Sequence, residues 1–343
     1  MYSTQHLARM NLNTIKATKS SLAKKTTVLA MTAVLFVSVF GGNLMTLQAM
    51  ADSGNGTNSN AGAPGDHQAA RQALRQALQT DATTYKQAVQ SADLTYKQTS
   101  QSAQLAHSQA VQDANTAYNQ AVQQARSAYN TAIAGAHGNP TIVGPAMATR
   151  DQTIATAQTT KINTIVSADV ARDKAVDEAW LAHQNAVYGA LATRDGADGT
   201  AQSTFYTAIG NATLATRSQT IGQAHVTESN SILQAIQTRI TAVETSDVTK
   251  DQAIGTAQTS YISAESTAHV ALDNTYTQNS KAWNAALQSY WNSVAPLTQT
   301  QDSAIATANS NHVSAVGTAD ATRDQAIDQA YATMYGSISA AYS

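Results

Sequence analysis

Cysteine is absent from the 343 residues, so neither disulfides nor thiolate metal ligands are available to the chain. Charged residues account for only 12% of the sequence, about half the share that is usual in soluble domains. Phenylalanine occurs three times, and alanine is by far the commonest of the residues counted as hydrophobic. Because large apolar side chains are scarce, a thick globular core is excluded. The composition instead predicts a thin core that repeats along a line.

The first 51 residues are typical of a secretory signal peptide. They hold five basic and no acidic residues, an apolar run from Val28 to Phe40, and a small-x-small cleavage pattern that ends at Ala51. The alternative is a retained membrane anchor, but the run is shorter than the ~20 apolar residues of a span. We therefore expect cleavage near Ala51 and a secreted or periplasmic, cell-envelope location.

The charge of the mature chain follows from that cleavage. Removing five of the 20 basic residues leaves 15 against 22 acidic ones, a net charge of −7. A chain of this sign is a poor partner for nucleic acid or for an anionic membrane surface. We expect no nucleic-acid partner, and a membrane is an unlikely partner once the signal is removed.

An eleven-residue repeat organises the rest of the chain. Residues 52–66 form a Gly/Ser/Asn-rich linker, and residues 67–343 form one helical repeat domain. Between Ala73 and Ala136 the unit occurs six times, with Tyr, Leu or His at its second position, mostly a branched residue at its sixth and mostly Ala at its ninth. Eleven residues make three helical turns. The pattern predicts an all-α fold of long antiparallel helices built on this hendecad, an elongated helical bundle or coiled coil.

Breaks in the repeat predict where the helices end. The segment 137–146 holds two Gly and two Pro, one extra residue falls at Gly210-Asn211, and Pro296 interrupts the unit again. The predicted helices are 67–136, 146–209, 213–294 and 298–342. The extra residue is either a chain reversal or a skip residue inside one continuous helix, and we favour the reversal. The GADG segment at 196–199 keeps the repeat in step, which favours a weakened helix over a loop.

The second repeat position predicts how the first two helices pair. If the chain folds back at 137–146, second-position residues whose numbers sum to 279 face each other. The pairs are Tyr129–Arg150, Tyr118–Lys161, His107–Arg172, Tyr96–His183, Tyr85–Arg194 and Leu74–Phe205. The cations either stack on the aromatic rings or extend to solvent over alanine, and both readings are open. The predicted helix-pairing residues are Tyr85, Tyr96, Tyr118, Tyr129, Arg150, Arg172, Arg194, Ile154, Ile165 and Val176.

Motifs that carry chemistry are missing from the sequence. It contains no Gly-rich phosphate loop, no nucleophile elbow and no HExxH, and we assign none of the eight histidines to a metal. Arg150-Asp151, Arg172-Asp173 and Arg194-Asp195 recur every 22 residues. Sequence neighbours point about 100° apart on a helix, so these side chains are expected to pair between helices or with solvent. No catalytic, cofactor-binding or metal-ligating residue and no cofactor is expected.

The functional expectation is a non-enzymatic, exported structural protein. A spacer, a stalk or a self-assembling fibre subunit of the cell envelope or extracellular matrix fits the long helices best. Its expected partners are further copies of itself or other envelope proteins. The alternative is a protein that binds an ice or lipid surface through an exposed Ala/Thr face. Alanine-rich helical antifreeze proteins share the eleven-residue period, but the Tyr/Arg positions do not match their regular threonine face.

Overall fold

A computed structural model describes residues 64–277 and 279–343, and within them the fold is all-α, as predicted. Four helices of 63 to 70 residues follow one another, and no strand occurs in this part of the chain. They are α1 (Pro64–Ile133), α2 (Pro140–Ala208), α3 (Ala212–Asn274) and α4 (Ser280–Tyr342). The predicted signal peptide and residues 52–63 of the linker lie outside the described residues.

Asparagine begins three of the four helices. The Asn139 side chain accepts a hydrogen bond from the Thr141 N–H, Asn211 accepts from Leu214, and Asn279 accepts from two backbone N–H groups at the start of α4. These side chains satisfy N–H groups that have no partner inside the helix. Gly210, at φ +77°, adopts the left-handed conformation that lets the chain turn between α2 and α3. The predicted reversal at Gly210-Asn211 is confirmed.

The first connection is shorter than predicted. The predicted break covered residues 137–146, but α2 begins at Pro140 and runs through Pro145. Pro140 occupies the first helical position, where its missing N–H costs nothing and its fixed φ suits the helix. Helix α1 also ends earlier than expected, at Ile133, and His137 and Gly138 adopt positive φ values in the connection that follows.

The predicted break at Pro296 is wrong. Helix α4 continues through this proline, and the connection lies instead between Asn274 and Ser280. Both Pro296 and Asn292, whose carbonyl loses its helical partner, are exposed, so water can bond to that carbonyl. The predicted helices 213–294 and 298–342 are thus replaced by Ala212–Asn274 and Ser280–Tyr342.

Each helix packs against its neighbours in sequence, and consecutive helices are antiparallel. Helix α1 contacts α2, α2 contacts α3, and α3 contacts α4. The side chains of Gln237 and Asn185 are bonded between α3 and α2, and Arg239 pairs with Asp320 between α3 and α4. The GADG segment is helical, as predicted. A Cβ atom built on its Gly199 would lie only 2.9 Å from the Cα of Gly222, so α2 and α3 nearly touch there.

Small residues fill most of the seams between helices. Alanines eleven residues apart are buried on two helices: Ala114, Ala125 and Ala136 along α1 and beyond its end, and Ala308, Ala319 and Ala330 on α4. Larger side chains gather in two clusters only locally, one around Tyr188, Leu191 and Ile232 and the other around Leu272, Tyr290 and Val294. None of the described helices combines the length and the apolar character that crossing a membrane requires.

Candidate functional site

Cations lie over aromatic rings along the contact between α1 and α2. The guanidinium of Arg150 is 4.8 Å from the ring centre of Tyr129, and the ammonium of Lys161 is 5.1 Å from that of Tyr118. Farther along, the Arg194 guanidinium lies 4.9 Å from the ring centre of Tyr85. The residue numbers of each of these pairs sum to 279. Each contact attracts the cation to the electron-rich ring face.

Two further pairs meet without a cation over a ring. Arg172 reaches His107, with 3.4 Å between their nitrogens, and both contact the carboxylate of Asp169. The rings of Tyr96 and His183 are 5.8 Å apart, and Trp180 contacts both. Among the remaining residues of the predicted pairing set, three branched side chains of α2 are partly buried: Ile154, Ile165 and Val176. The last pair, Leu74 and Phe205, is also partly buried.

The Arg-Asp neighbours of α2 bond to each other, which was not expected, and also make contacts between helices, which was expected. Arg150 donates to both carboxylate oxygens of Asp151, at 2.6 Å and 2.8 Å, and Arg172 and Arg194 donate to the aspartates that follow them. The expectation considered the directions of the Cα–Cβ bonds alone. The arginine side chain is long enough to fold back while its planar head rests on α1. Each guanidinium therefore links an α1 side chain to an aspartate that faces α3.

These three pairs lie in three polar layers, 22 residues apart on α2 and on α3. The first layer contains Arg150, Asp151, His269 and Asp273. The second layer contains Arg172, Asp173, Asp247, Lys250 and Asp251. The third layer contains Arg194, Asp195 and His225, with Ser229 at the α3 position that corresponds to Asp273 of the first layer. In each, α3 contributes residues four positions apart, which lie on one face of the helix. At these two positions of α3, the first layer has His and Asp, the second has two Asp, and the third has His and Ser.

In the second layer an internal cation balances the carboxylates of α3. The Lys250 ammonium lies 3.1 Å from an oxygen of Asp247 and 3.2 Å from one of Asp251. Burial lowers the pKa of Lys250, but the two carboxylates outweigh it and the net shift is upward. Helix α4 adds His312, whose Nδ1 is 3.6 Å from Asp247. These contacts form an ion-pair network between α3 and α4.

In the third layer a glutamate holds the histidine. The Nδ1 atom of His225 is 3.2 Å from a carboxylate oxygen of Glu228, one turn along α3. This contact, opposed by burial and assisted by Asp195, raises the pKa of His225. Ser229 is buried at the position that carries an aspartate in the other two layers.

The first layer brings one imidazole and two carboxylates together. Nδ1 of His269 is 3.2 Å from Oδ2 of Asp151 and 3.9 Å from Oδ2 of Asp273. The ring of Tyr290, from α4, packs edge-on against the imidazole at 4.9 Å. The side chain of Asp273 is only 1% exposed, and its Oδ2 is buried without a hydrogen-bond partner.

The pKa values of the first layer reflect its mixed charges. Contact with Asp151, and next with Asp273, raises the pKa of His269 to about 9 in spite of burial. Burial disfavours ionisation of Asp151, yet His269 and Arg150 outweigh it and its pKa is lowered. The pKa of Asp273 is raised, chiefly because burial penalises its charged form.

Imidazole and carboxylate groups in this arrangement can hold a metal ion. The ligand atoms of Asp151, His269 and Asp273 all lie within 4.8 Å of one another. Considering the histidines one by one did not find this cluster, because only two of its members are close in sequence. The signal was present nevertheless: His269 and Asp273 are four residues apart on one helical face. Asp151 joins them only through the packing of α2 on α3.

Comparison with known protein families, with curated proteins and with solved structures finds no match for this chain.

Proposed function

We propose that this protein is an exported structural element, a spacer, stalk or fibre subunit, whose function depends on its reach. The observation that carries the proposal is the length of the helices. Helices of 63 to 70 residues, at about 1.5 Å per residue, are about 95–105 Å long. Each is packed against the next helix in sequence.

The way the helices are joined supports the same function. We infer that an eleven-residue repeat sets their register, in the manner of an antiparallel coiled coil. Buried alanines allow close approach, and ring–cation pairs mark three of the six levels between α1 and α2. A slip by one repeat would place different residues opposite each other. In the second layer, for example, His107 would no longer meet Arg172. We infer that this variation keeps long helices in one alignment.

Exposed apolar side chains support self-assembly. Leu94 and Leu105 of α1 are 57% and 72% exposed and eleven residues apart. On α4, Trp291, Val313 and Tyr335 are 52%, 68% and 64% exposed and succeed one another at 22 residues. Apolar residues at a regular interval along the outside of a helix suit contact with another long helix. A second copy of this chain offers such helices.

Small-angle scattering of the mature protein tests the spacer. A rod about 100 Å long has a radius of gyration of about 30 Å, whereas a compact domain of this size has one of about 19 Å. We expect the larger value at high dilution. A value near 19 Å would reject the spacer and the stalk together.

Sedimentation over a range of concentrations tests the fibre. We expect larger species as the concentration rises, and we expect the Leu105→Gln/Val313→Gln protein to remain monomeric. The control is Thr116→Gln, at an exposed α1 position one repeat after Leu105. A wild-type protein that stays monomeric at every concentration would reject the fibre but not the stalk.

A further inference from the structure

We propose that the first layer is a binding site for a divalent transition-metal ion, Zn²⁺ in the first instance, which links α2 to α3. The ligands are Nδ1 of His269 and one carboxylate oxygen each of Asp151 and Asp273. Asp151 comes from α2 and the other two from α3. The bound ion would add a clamp between these two packed helices at the end opposite the turn that joins them.

The distances between the ligand atoms fit a tetrahedral ion. Zn–N and Zn–O bonds of about 2.0–2.2 Å place neighbouring ligands about 3.3–3.5 Å apart. His269 Nδ1 lies 3.2 Å from Asp151 Oδ2 and 3.9 Å from Asp273 Oδ2. Small side-chain rotations would bring both into range. Three protein ligands would leave one position for water.

The identity of the ligands selects the class of metal. Ca²⁺ requires six to eight oxygen ligands, and Mg²⁺ is held mainly by oxygen and water. One imidazole with two carboxylates instead suits Zn²⁺, Co²⁺ or Ni²⁺. The absence of cysteine leaves nitrogen and oxygen as the natural donors in this chain.

A buried carboxylate oxygen points to a ligand independently of the spacing. Oδ2 of Asp273 is one of the proposed ligand atoms, and it is buried without a hydrogen-bond partner. Its charge contact with His269, at 3.9 Å, is longer than a hydrogen bond. Burying a carboxylate oxygen without a hydrogen bond is costly, and a bound cation would reduce that cost. The backbones of α2 and α3 are close together here, since a Cβ on Gly144 of α2 would lie only 2.6 Å from the carbonyl oxygen of Asp273.

Groups around the ligands hold them in place. The guanidinium of Arg150 donates two hydrogen bonds to Asp151 and thereby fixes the plane of that carboxylate. The Tyr290 ring fixes one side of the imidazole. Such outer contacts orient the ligands of metal sites in proteins.

The other two layers explain why the site is confined to the first. In the second layer Lys250 already supplies a cation to both carboxylates of α3. In the third, Ser229 replaces the aspartate and Glu228 engages the histidine. The same backbone framework therefore provides matched comparisons within one molecule.

The test is a Co²⁺ titration of the untagged, chelator-treated protein, followed by visible absorption, with Zn²⁺ added as competitor. We expect one equivalent of Co²⁺ to bind, to be displaced by Zn²⁺, and to lose affinity by roughly a hundredfold or more in Asp273→Ser. That substitution gives the first layer the composition of the third. The control is Asp251→Ser, the equivalent change in the second layer, which should bind Co²⁺ like the wild type.

A second measurement tests whether the bound ion stabilises the packing of α2 on α3. Ions that bind only the folded state raise the folding equilibrium constant, by roughly a hundredfold at a hundred times Kd. Zn²⁺ should therefore raise the unfolding midpoint of the wild type and of Asp251→Ser, but not that of Asp273→Ser. Should Asp273→Ser lose its helicity, His269→Gln replaces it in both measurements with the same expected losses.

Two results would overturn the proposal. One is a wild-type protein that binds neither ion at millimolar concentration. The other is equal affinity in the wild type and in folded variants of Asp273 or His269, which would place the metal elsewhere. Neither result would affect the structural role, because scattering and sedimentation measure that independently.

Discussion

The close approach of α2 and α3 at Gly199 and Gly222 leads to a testable prediction, for which Gly189 provides the control. A Cβ on Gly199 would lie 2.9 Å from the Gly222 Cα and 3.1 Å from the Ser218 carbonyl oxygen. Both are backbone atoms, so no side-chain rotation can relieve the clash. A Cβ on Gly189, on the same helix, would meet nothing within 4 Å. The two glycines differ in what a methyl group would contact.

The magnitudes follow from two opposing effects. Replacing a helical glycine by alanine stabilises a helix by about 1 kcal/mol. Overpacking a close contact costs about 1–3 kcal/mol. Gly189→Ala should therefore gain about 1 kcal/mol in unfolding free energy. Gly199→Ala has the same gain but also the clash, so it should fall about 1–3 kcal/mol below Gly189→Ala.

Urea and thermal unfolding, followed by far-ultraviolet circular dichroism, measure this difference. In a domain of this size each kcal/mol moves the midpoint temperature by about 2–4 °C. Gly222→Ala approaches the same contact from α3 and should behave like Gly199→Ala. Equal stabilisation by the substitutions at 189 and 199 would show that the helices do not touch at this level, and would refute the reasoning.

Three other substitutions test the seams and the polar layers by urea unfolding. Ala125→Leu should cost about 1–3 kcal/mol because the site is buried, whereas Ala128→Leu, on the exposed side of α1, should not; equal costs would contradict the seam. Tyr118→Leu should lose the contact with Lys161, about 0.5–2 kcal/mol, and Tyr118→Phe should keep it; an unchanged or higher stability of the leucine variant would exclude stacking. Burial, reinforced by nearby carboxylates, raises the pKa of Asp198 to about 6. The folded state therefore binds this proton more tightly than the unfolded state, and ionisation of Asp198 lowers the free energy of unfolding as the pH rises from about 4 to 6. Asp198→Asn should thus be more stable than wild type by about 1–3 kcal/mol near pH 7.5 and about equal to it near pH 4; the same gap at both values would contradict the shift.

The contact between α1 and α2 could be worked out from the sequence because it depends on few choices. Once the chain is taken to be helical and to reverse near residue 138, a single sum of residue numbers, 279, defines every opposing pair. Tyr129 then faces Arg150, and the structure places them together. What the sequence left open was the position of the cation. In the structure the guanidinium groups of Arg150 and Arg194 lie over aromatic rings, and each is also held by the aspartate that follows it.

The third connection could not be read from the sequence in the same way. The repeat keeps its step from Ala271 to Ala282, so the loop at 275–279 leaves no change of phase. Proline was the stronger local signal for a helix end, but the prediction made from it was wrong. A helix can continue through a proline that lies on its exposed face, as α4 does at Pro296. Asn279 was the informative residue, since asparagine also begins α2 and α3.

The metal-ligand set depends on a second register, that of α2 against α3. The turn at Gly210-Asn211 determines this register, and the pairing rule found for α1 and α2 does not extend across it. Without knowledge of the α2–α3 register, the sequence does not predict that Asp151 contacts His269, 118 positions later. The i, i+4 pair on α3 was visible in the sequence, but two ligands alone do not identify a site.

An even number of antiparallel helices returns the polypeptide to the side from which it set out. Arg217, near the start of α3, bonds to Ala341 and lies over Tyr342, and α1 begins beside the end of α2. A mechanical load applied between Pro64 and Tyr342 would therefore open the seams one level at a time, as a zipper opens, instead of shearing them all at once. Pulling between the turn at 134–139 and Tyr342 would load many levels in parallel, and should require the greater force.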